Sequence, residues 1–438
     1  MLEMGSYFPN GIFCIKDSLI MEKFYEFPGM QIPVKGEFDI IVCGGGPAGV
    51  AAALAAAREG AKVLLIERNQ CCGGIWTSGG MPWILDHTNK TNIMAEIREL
   101  CLQRGGMIHA SGSLSCPPEE LRLLLEELLE TAGVRIRYGT LVTRAAVSGN
   151  LITHIVTESK SGTEAWCAKR YIDCTGDGDL AALAGCSFEM GGPDGNTQPS
   201  SFIGIVCGLD PEEVHDYLAP NGGKPRFKEL LESHGVFPTY GHPSLFHFGE
   251  GIFGLMSNHG YQTNALDADS ITGKILAGRK EVHSHIRFLR SLGGIWRNIA
   301  LAATSDNLGI REARRIKGCD YVDTPHLASG GRSALPVCRT TFCVDIHAPD
   351  PNKCNAIATA PARTKPYDIP WGALVSSERE NLLMAGRCIS GDFVAHSSYR
   401  VTGNSVPMGE AAGFGAAVSI RENIRPIDVK QIPFSSKE

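Results

Sequence analysis

The strongest constraint on the fold is the segment Gly44-Gly45-Gly46-Pro47-Ala48-Gly49, which separates an apolar run from an alanine-rich run. Residues 38–43 (FDIIVC) are apolar and bounded by glycine, which predicts a buried strand. Residues 47–59 open with proline and are rich in alanine, which predicts a closely packed helix. Residues 62–67 (KVLLIE) predict a second buried strand. This strand–helix–strand order predicts a βαβ unit and therefore a parallel sheet.

The glycines of this segment have the spacing G-x-G-x-x-G of a dinucleotide-binding turn. Gly44 permits the tight turn, Gly46 lets the backbone approach a diphosphate, and Gly49 lets the helix pack on the strand. Pro47 and Ala48 open the helix, whose free N–H groups and partial positive charge favour phosphate. Together with the flanking strands, the pattern predicts nucleotide binding.

An acidic residue stands where the second strand ends. Glu67 lies 18 residues beyond Gly49, where its carboxylate can accept hydrogen bonds from ribose hydroxyls. A carboxylate repels a ribose 2′-phosphate, so the adenosine half of the ligand is not expected to be that of NADP.

Further glycine-rich segments follow at 72–80 and 173–179, and at 385–387 with 403–405. The 385–387 cluster contains Gly386 and Arg387, which we expect at the same ligand. A single dinucleotide that touches segments near 44, 73, 175 and 386 must be long and extended. The sequence therefore favours FAD over NAD.

Four segments carry a family resemblance: VCGGGPAGVAAALAAAREGAKVLLIER, YIDCTGDGDLAALAG, LGIREARRI and NLLMAGRCIS. They are spread over the flavin domain and reach into the predicted insert, so that the resemblance extends over about half of the chain. On them the chain resembles the FAD-dependent oxidoreductases of the glutathione-reductase-like superfamily with two dinucleotide-binding domains. Its flavin domain is similar to those of heterodisulfide reductase and fumarate reductase flavoproteins. The resemblance implies an α/β fold with a Rossmann-like FAD-binding domain and an inserted α+β substrate domain.

The resemblance also assigns cofactor contacts. It implies that the adenosine diphosphate half is held by Gly44, Gly46, Gly49, Glu67 and Arg68. It implies that Gly74 and Thr77 lie along the ribityl chain, and that the diphosphate and adenosine are approached by Thr175, Gly176 and Asp177. It implies finally that N–H groups of the helix around 408–412, which includes Met408 and Ala411, face the pyrimidine edge of the flavin.

The rhythm of strands and helices divides the chain. Residues 1–37 are interrupted by proline and glycine, which predicts an irregular arm that packs on the body. The FAD-binding domain is expected in two parts, 38–187 and 351–425, with a tail at 426–438. Between them, 188–350 loses the βαβ rhythm and predicts an inserted substrate domain. Helices are expected near 93–103, 117–131, 270–292 and 407–420, and further strands at 134–138, 151–158, 166–174 and 381–385.

The loop at 396–405 is the first candidate for chemistry. Fumarate-reductase-like flavoproteins carry a similar stretch, and the likeness implies that Arg400, followed by Gly403-Asn404-Ser405, binds an anionic group of the substrate. His396 is then a proton donor or acceptor near neutral pH. The alternative is that both side chains satisfy local carbonyls or an ion pair.

A second candidate is Arg311 in the segment GIREARRI. It either faces the flavin or an anionic substrate, or joins Glu312, Arg314 and Arg315 in an ion-pair network that anchors the insert. The acidic and histidine residues lack the spacing of metal ligands, so no metal site is expected.

Net charge and apolar runs restrict the partners. The chain has 41 basic and 47 acidic residues, a net charge of −6, so it has no global attraction for nucleic acid. The apolar run at 48–57 is too short to span a membrane, and residues 1–16 lack the apolar core of a signal peptide. Fifteen cysteines without this signal predict reduced thiols. We therefore expect a cytoplasmic protein, as a monomer or a homo-oligomer.

These features favour an FAD-dependent oxidoreductase that transfers a hydride between the flavin and a small, anionic organic substrate. The electron partner is expected to be NAD(P)H or a redox protein. Two alternatives stay open: a flavoprotein subunit whose iron–sulfur clusters lie in a partner chain, because no cluster-binding cysteine run is present here, and a non-redox dinucleotide-binding protein of the same fold.

Overall fold

The computed structural model describes residues 11–15, 18–22, 31–352 and 356–437. Most of the predicted arm at 1–37 lies outside the described residues. The first strand of the main sheet begins at Val34 rather than at Phe38. The strand is longer than its apolar run because Val34 and Gly36 pair with Ala165 and Trp166 of a neighbouring strand.

The described residues form short and long strands with helices between them. The helices are α1 (Pro47–Arg58), α2 (Asn92–Gln103), α3 (Pro118–Thr131), α4 (Asp179–Leu183), α5 (Lys224–Glu232), α6 (Ala268–Ser291), α7 (Thr324–Ser329), α8 (Phe393–Tyr399) and α9 (Thr402–Arg421). The strands are β1 (Gly11–Ile15), β2 (Ser18–Glu22), β3 (Val34–Cys43), β4 (Val63–Ile66), β5 (Trp83–Ile84), β6 (Met107–Ile108), β7 (Leu114–Ser115), β8 (Arg135–Arg137), β9 (Leu141–Ser148), β10 (Leu151–Ser159), β11 (Gly162–Asp173), β12 (Phe188–Glu189), β13 (Gly204–Cys207), β14 (Ser244–Gly249), β15 (Ile252–Met256), β16 (Ala300–Thr304), β17 (Arg315–Ile316), β18 (Pro336–Thr340), β19 (Tyr367–Pro370) and β20 (Leu382–Met384).

The main sheet has the order β8-β4-β3-β11-β10-β9, and β20 also pairs with β11. The pairs β3–β4, β4–β8, β3–β11 and β11–β20 are parallel, whereas β9, β10 and β11 are antiparallel. This is the predicted α/β fold with a Rossmann-like sheet. Because the carboxyl ends of the parallel strands meet at one edge, a ligand site is expected there.

Helices α1 and α9 pack backbone against backbone over this sheet. A Cβ atom at Gly409 would lie 1.9 Å from the carbonyl oxygen of Ala48, and one at Gly413 would lie 2.1 Å from that of Ala52. Glycine on one helix and alanine on the other therefore allow a contact that larger side chains exclude. The close contact brings the first turn of α9 next to the glycine-rich turn before α1.

Gly409→Ala is expected to destabilise the fold by about 1–3 kcal/mol, because the added methyl group forces the two helices apart. Urea unfolding would measure this loss. The control is Gly273→Ala in α6, where a Cβ atom meets nothing within 4 Å. It should be neutral or stabilise by up to about 1 kcal/mol. Equal unfolding midpoints for the two variants would contradict the proposed packing.

A second hydrophobic core lies within residues 202–308. It is covered by the antiparallel sheet β14-β15-β13-β16 and by the apolar face of α6. Farther along the chain, Ile316, Val337 and Ile346 belong to the first core instead. The second core therefore spans fewer residues than the predicted insert at 188–350. The C-terminal part of the predicted insert packs against the first core instead.

Candidate functional site

A cavity of about 520 Å³ follows the carboxyl ends of β3, β4, β11 and β20 and continues towards the second core. All four glycine-rich segments singled out in the sequence contribute to its wall. The predicted site residues that line it are Gly44, Gly46, Pro47, Ala48, Glu67, Arg68, Gly74, Thr175, Gly176, Asp177, Arg311, Gly386, Arg387 and Arg400. The lining does not include Gly49, Thr77, His396, Met408 or Ala411.

The turn before α1 uses each glycine for a different reason. Gly44 has φ +100°, and a Cβ atom there would lie 2.4 Å from the carbonyl oxygen of Cys174. A Cβ atom at Gly49 would lie 1.8 Å from the carbonyl oxygen of Gly44, so Gly49 serves packing behind the cavity. A Cβ atom at Gly46, by contrast, would have no protein atom within 4 Å. Gly46 therefore leaves open space at the cavity wall, where a ligand can approach the backbone.

The carboxylate of Glu67 is fixed by backbone donors. It accepts hydrogen bonds from the N–H groups of Gly45 at 2.6 Å and Asn69 at 2.8 Å, and from the Asn69 side chain at 2.6 Å. The residue is buried and lines the cavity. A fixed carboxylate at this edge suits ribose hydroxyls, and the neighbouring Arg68 lies exposed at the same wall.

The loop after Glu67 is shaped by glycine and a threonine. Gly73 and Gly74 have φ of +104° and +54°, a region that L side chains rarely adopt. The Thr77 hydroxyl donates to the carbonyl of Cys72 at 2.6 Å. Thr77 therefore holds the loop, while Gly74 forms the cavity wall. The indole of Trp76 donates to the Thr402 hydroxyl at 2.9 Å and ties this loop to α9.

The loop after β11 places a charged pair in the wall. Arg387 donates to Asp177 at 3.0 Å, and its other terminal nitrogen, Nη1, is buried without a partner among the described residues. Gly176, at φ +79°, leaves room for this guanidinium, since a Cβ atom there would lie 2.5 Å from it. At the base of the loop, burial raises the pKa of Asp173 to about 6, although hydrogen bonds from Ala181 and Thr175 oppose the shift.

Helix α9 begins at Thr402 rather than at the predicted Pro407, which lies inside the helix. The early start brings Thr402 and Ser405 to the cavity wall. Met408 and Ala411 are fully buried in the first core and do not line the cavity. The first turn of α9, and not residues 408–412, is therefore the part of the helix that can direct N–H groups at a ligand.

The wall fits FAD. Gly46 leaves open space for a diphosphate, Glu67 provides a fixed acceptor for ribose, and Arg387 has a buried donor that no described residue satisfies. An unsatisfied buried donor is costly unless a ligand pairs with it. These residues would hold the nucleotide part, and the cavity beyond Arg387 would hold the isoalloxazine.

Arg311 and Arg400 both reach the far end of the cavity. Arg311 donates to the carbonyl of Pro199 at 2.6 Å and to the Ser201 hydroxyl at 3.0 Å. Burial, together with the charge of Arg400, lowers the pKa of Arg311 to about 10, so it remains a cation at neutral pH. The expected ion-pair network with Glu312 is formed by Arg315, which leaves Arg311 to the cavity.

Arg400 is oriented by Asp345. It donates to the backbone oxygen of Asp345 at 2.9 Å and to its carboxylate at 3.1 Å, and its Nε is buried without a described partner. Burial alone would raise the pKa of the Asp345 carboxyl, but His347, Arg400 and Arg311 together hold it below its ordinary value. Asp345 is therefore ionised at neutral pH.

His396 lies behind the cavity. It belongs to α8, has no exposed surface and is not part of the lining. Burial lowers its pKa well below the ordinary value, and the charges of Arg315, Arg400 and Arg387 lower it further. The ring is therefore neutral, and its position separates it from direct contact with a ligand in the cavity.

Four polar residues at this end were not predicted from the sequence: Lys224, Tyr240, Asp345 and His347. They lie within the predicted insert, in loops and at a helix start without a recognisable motif. Burial lowers the pKa of Lys224, while Asp345 raises it. No local sequence signal distinguishes them from the other polar residues of the predicted insert.

The comparison with protein families identifies the chain. The model of the family described as FAD dependent oxidoreductase matches residues 39–435, which is most of the sequence. The chain belongs to this family. Its cofactor is therefore FAD, and the protein is an oxidoreductase enzyme, as predicted. The narrower likeness to the glutathione-reductase type stays a prediction.

Solved structures that are similar to this one have low sequence identity to the chain. The p-nitrophenol 4-monooxygenase PnpA from Pseudomonas putida DLL-E4 is 11% identical, with 90% of this chain and 82% of that chain covered and a TM-score of 0.48. A geranylgeranyl bacteriochlorophyll reductase-like protein from Thermoplasma acidophilum is 13% identical, with 88% and 79% covered and a TM-score of 0.42.

One curated relative matches a short segment. A Dictyostelium discoideum protein, named provisionally as a bifunctional amine oxidase, is 38% identical over 64 residues. The match covers 15% of this chain and 6% of that protein.

The described residues also bear on metal binding and on membrane insertion. Among them, no group of three or more His, Cys, Asp and Glu side chains could hold a metal ion. None of the helices in residues 31–352 and 356–437 is long and apolar enough to cross a membrane.

Proposed function

We propose that this enzyme exchanges a hydride between its flavin and a small organic substrate with a carboxylate group. The observation that carries the proposal is the charge at the far end of the cavity. Arg311, Arg400 and Lys224 line it, with Asp345 as the acid among them. A buried excess of positive charge is stabilised by an anionic ligand.

Arg400 and Arg311 differ in the hydrogen bonds that they already make within the chain. Arg400 is held by Asp345 through one terminal nitrogen, and its Nε still lacks a described partner. Arg311 is held by Pro199 and Ser201 and so has a fixed position. Planar guanidinium groups bind carboxylates through paired hydrogen bonds, which orient the substrate as well as attract it.

The bound FAD supplies the electron and hydride exchange, and the chain binds and orients the substrate. In this proposal Arg311 and Arg400 hold the carboxylate, and Asp345 positions Arg400. His396 is neutral and lies outside the cavity lining, so it has no contact with substrate in this proposal. Lys224 adds a further positive charge at the same end of the cavity.

The test is an anaerobic screen of the purified holoenzyme for bleaching of the flavin absorption. The compounds are glycolate, lactate, glycine, glutamate and succinate, and NADH and NADPH are tested in separate samples because a nicotinamide electron donor is expected from the sequence. At least one carboxylate should bleach the flavin. If none does, or if only uncharged alcohols and amines do, the proposed substrate class is wrong.

The same screen tests the arginines. In Arg311→Lys and Arg400→Lys the charge is kept but the paired hydrogen bonds are lost. A hydrogen bond to a charged group contributes about 1.5–3 kcal/mol, so the half-saturating carboxylate concentration should rise about 10- to 100-fold with FAD content unchanged. Arg287→Lys, at an exposed position of α6, is the control and should behave as the wild type. Unchanged half-saturation in both cavity variants would exclude carboxylate binding there.

A further inference from the structure

A row of hydrogen-bonding groups leads from the cavity to the surface. At the cavity wall, His347 Nε2 lies 3.4 Å from the carboxylate of Asp345. His347 Nδ1 lies 3.1 Å from His259 Nε2, and His259 Nδ1 lies 3.3 Å from the hydroxyl of Tyr261. The Tyr261 hydroxyl lies 3.3 Å from the carbonyl oxygen of Thr239, an exposed residue.

This row has two consistent arrangements of its protons. In the first, both histidines carry the proton on Nε2, so that His347 donates to Asp345, His259 donates to His347, and Tyr261 donates to His259. In the second, both carry the proton on Nδ1, so that each histidine donates towards the surface and Tyr261 donates to Thr239. A neutral imidazole has one donor and one acceptor nitrogen, so the two rings must change together.

The surroundings keep both rings neutral. His347 and His259 are 6% and 5% exposed. Burial, with the charge of Arg311, lowers the pKa of His347 to about 3, against the opposing effect of Asp345. The pKa of His259 is also lowered, first by burial and then by charge. The groups that face the two rings are Asp345, Arg311, Arg400 and His242, with the ring of Tyr240 packed against both.

We propose that His347, His259 and Tyr261 form a proton relay between the substrate cavity and solvent. The proposal rests on the proposed function, because removal of a hydride from the C–H bond of an alcohol or amine leaves a proton on the neighbouring oxygen or nitrogen, and this proton must leave the buried substrate end of the cavity.

Reduction of a substrate starts from the first arrangement, which the charge of Asp345 favours. His347 Nε2 gives its proton to the substrate, His347 Nδ1 takes the Nε2 proton of His259, and His259 Nδ1 takes the hydroxyl proton of Tyr261, which solvent replaces; the row is then in the second arrangement. Oxidation starts from the second arrangement and uses the same steps in reverse, so the row must return to its starting arrangement before the next turnover.

The first test needs no substrate. The holoenzyme is labelled with 15N-histidine, and nuclear magnetic resonance at pH 7 reports which ring nitrogen is protonated. We expect His259 and His347 to be protonated at the same ring position. Asp345→Asn, which removes the charge that favours a proton on His347 Nε2, should shift both rings towards Nδ1. Opposite ring positions, or a shift confined to His347, would overturn the relay.

The control for this measurement is His242→Phe. His242 is exposed and has its ring 6.1 Å from that of Tyr240, but it is not part of the row. We expect the signals of His259 and His347 to stay where they are in the wild type. A change as large as that in Asp345→Asn would show that the rings respond to general disturbance and not to the row.

The second test uses the first carboxylate that bleaches the wild-type flavin. His259→Phe keeps an aromatic ring against Tyr240, at 4.1 Å in the native chain, but breaks the row. Bleaching at saturating carboxylate should slow by about 10- to 100-fold, with half-saturation unchanged. A wild-type rate would exclude the relay. If no carboxylate bleaches the flavin, the proposed function fails, and the tautomer measurement still decides whether the row exists.

Discussion

Gly46→Val is expected to produce a folded, colourless protein that no longer binds FAD. A Cβ atom added at this position meets no protein atom within 4 Å, and the backbone has φ −69° and ψ −175°, which valine adopts readily. The folded chain therefore accepts the substitution. The same open space is where the diphosphate must approach the backbone, so the side chain occupies the place of the ligand.

The measurement is the ratio of flavin to protein absorption after purification, with circular dichroism and urea unfolding as checks of the fold. The control is Gly273→Val, which places the same side chain at a second open position, in α6 and away from the cavity. It should retain full flavin content. If Gly46→Val retained FAD at the wild-type ratio, the cofactor would not pass this turn, and the assignment of the cavity would be wrong.

The part of the fold that the sequence predicts well is the part in which local pattern and tertiary role agree. Residues 40–43 and 63–66 are apolar throughout and buried, because β3 and β4 are covered on both faces in the middle of the sheet. Strand β4 coincides with its apolar run, whereas β3 contains its run but begins earlier, at Val34. The turn at 44–49 is predicted equally well, since the spacing of its glycines follows from backbone geometry. Strand β9 was missed because most of its residues are exposed or half-buried and show no apolar run.

The start of α9 shows how packing overrides a local rule. Proline is common in the first turn of a helix, which led to a predicted start at Pro407. The helix instead begins at Thr402, because its second residue, Gly403, packs closely against the carbonyl group of Leu85. A Cβ atom at Gly403 would lie 2.1 Å from that carbonyl oxygen, so only glycine fits there. That contact joins residues far apart in the sequence, so no local pattern could indicate it.

The substrate end was only partly predictable for the same reason. Arg311 and Arg400 belong to segments with a family likeness, and both line the cavity. Asp345 and His347 lie in an irregular stretch that is placed by distant partners, such as the hydrogen bond from the His347 N–H to Gln198 at 3.0 Å. His396 has a sequence neighbourhood similar to that of Arg400, yet one helical turn buries it behind the wall.

The second large effect is expected for Lys90→Met, which should destabilise the protein by about 3–5 kcal/mol. Lys90 and Asp86 form a buried ion pair at 3.3 Å, and their side chains are 0% and 1% exposed. Methionine has a similar length but no charge, so Asp86 would remain as an uncompensated buried carboxylate. Urea unfolding of the holoenzyme would measure the loss as a lower midpoint.

The hydrogen-bond partners of Asp86 connect the buried ion pair to the substrate end of the cavity. Its carboxylate accepts hydrogen bonds from the N–H groups of Thr341 at 3.0 Å and Phe342 at 3.3 Å, and Phe342 lines the cavity just before Asp345. Disturbance of the pair should therefore weaken the ordering of the segment that positions Arg400. In Lys90→Met the half-saturating carboxylate concentration should rise along with the loss of stability.

A second substitution separates charge from shape. Asp86→Asn added to Lys90→Met removes the unpaired carboxylate while its amide oxygen can still accept a hydrogen bond from the Thr341 N–H. The double variant should recover about half of the stability lost in Lys90→Met, because an unpaired buried charge costs more than an absent pair. If the double variant were less stable than Lys90→Met, the loss would come from packing around the lysine stem, and the buried charge would not be its cause.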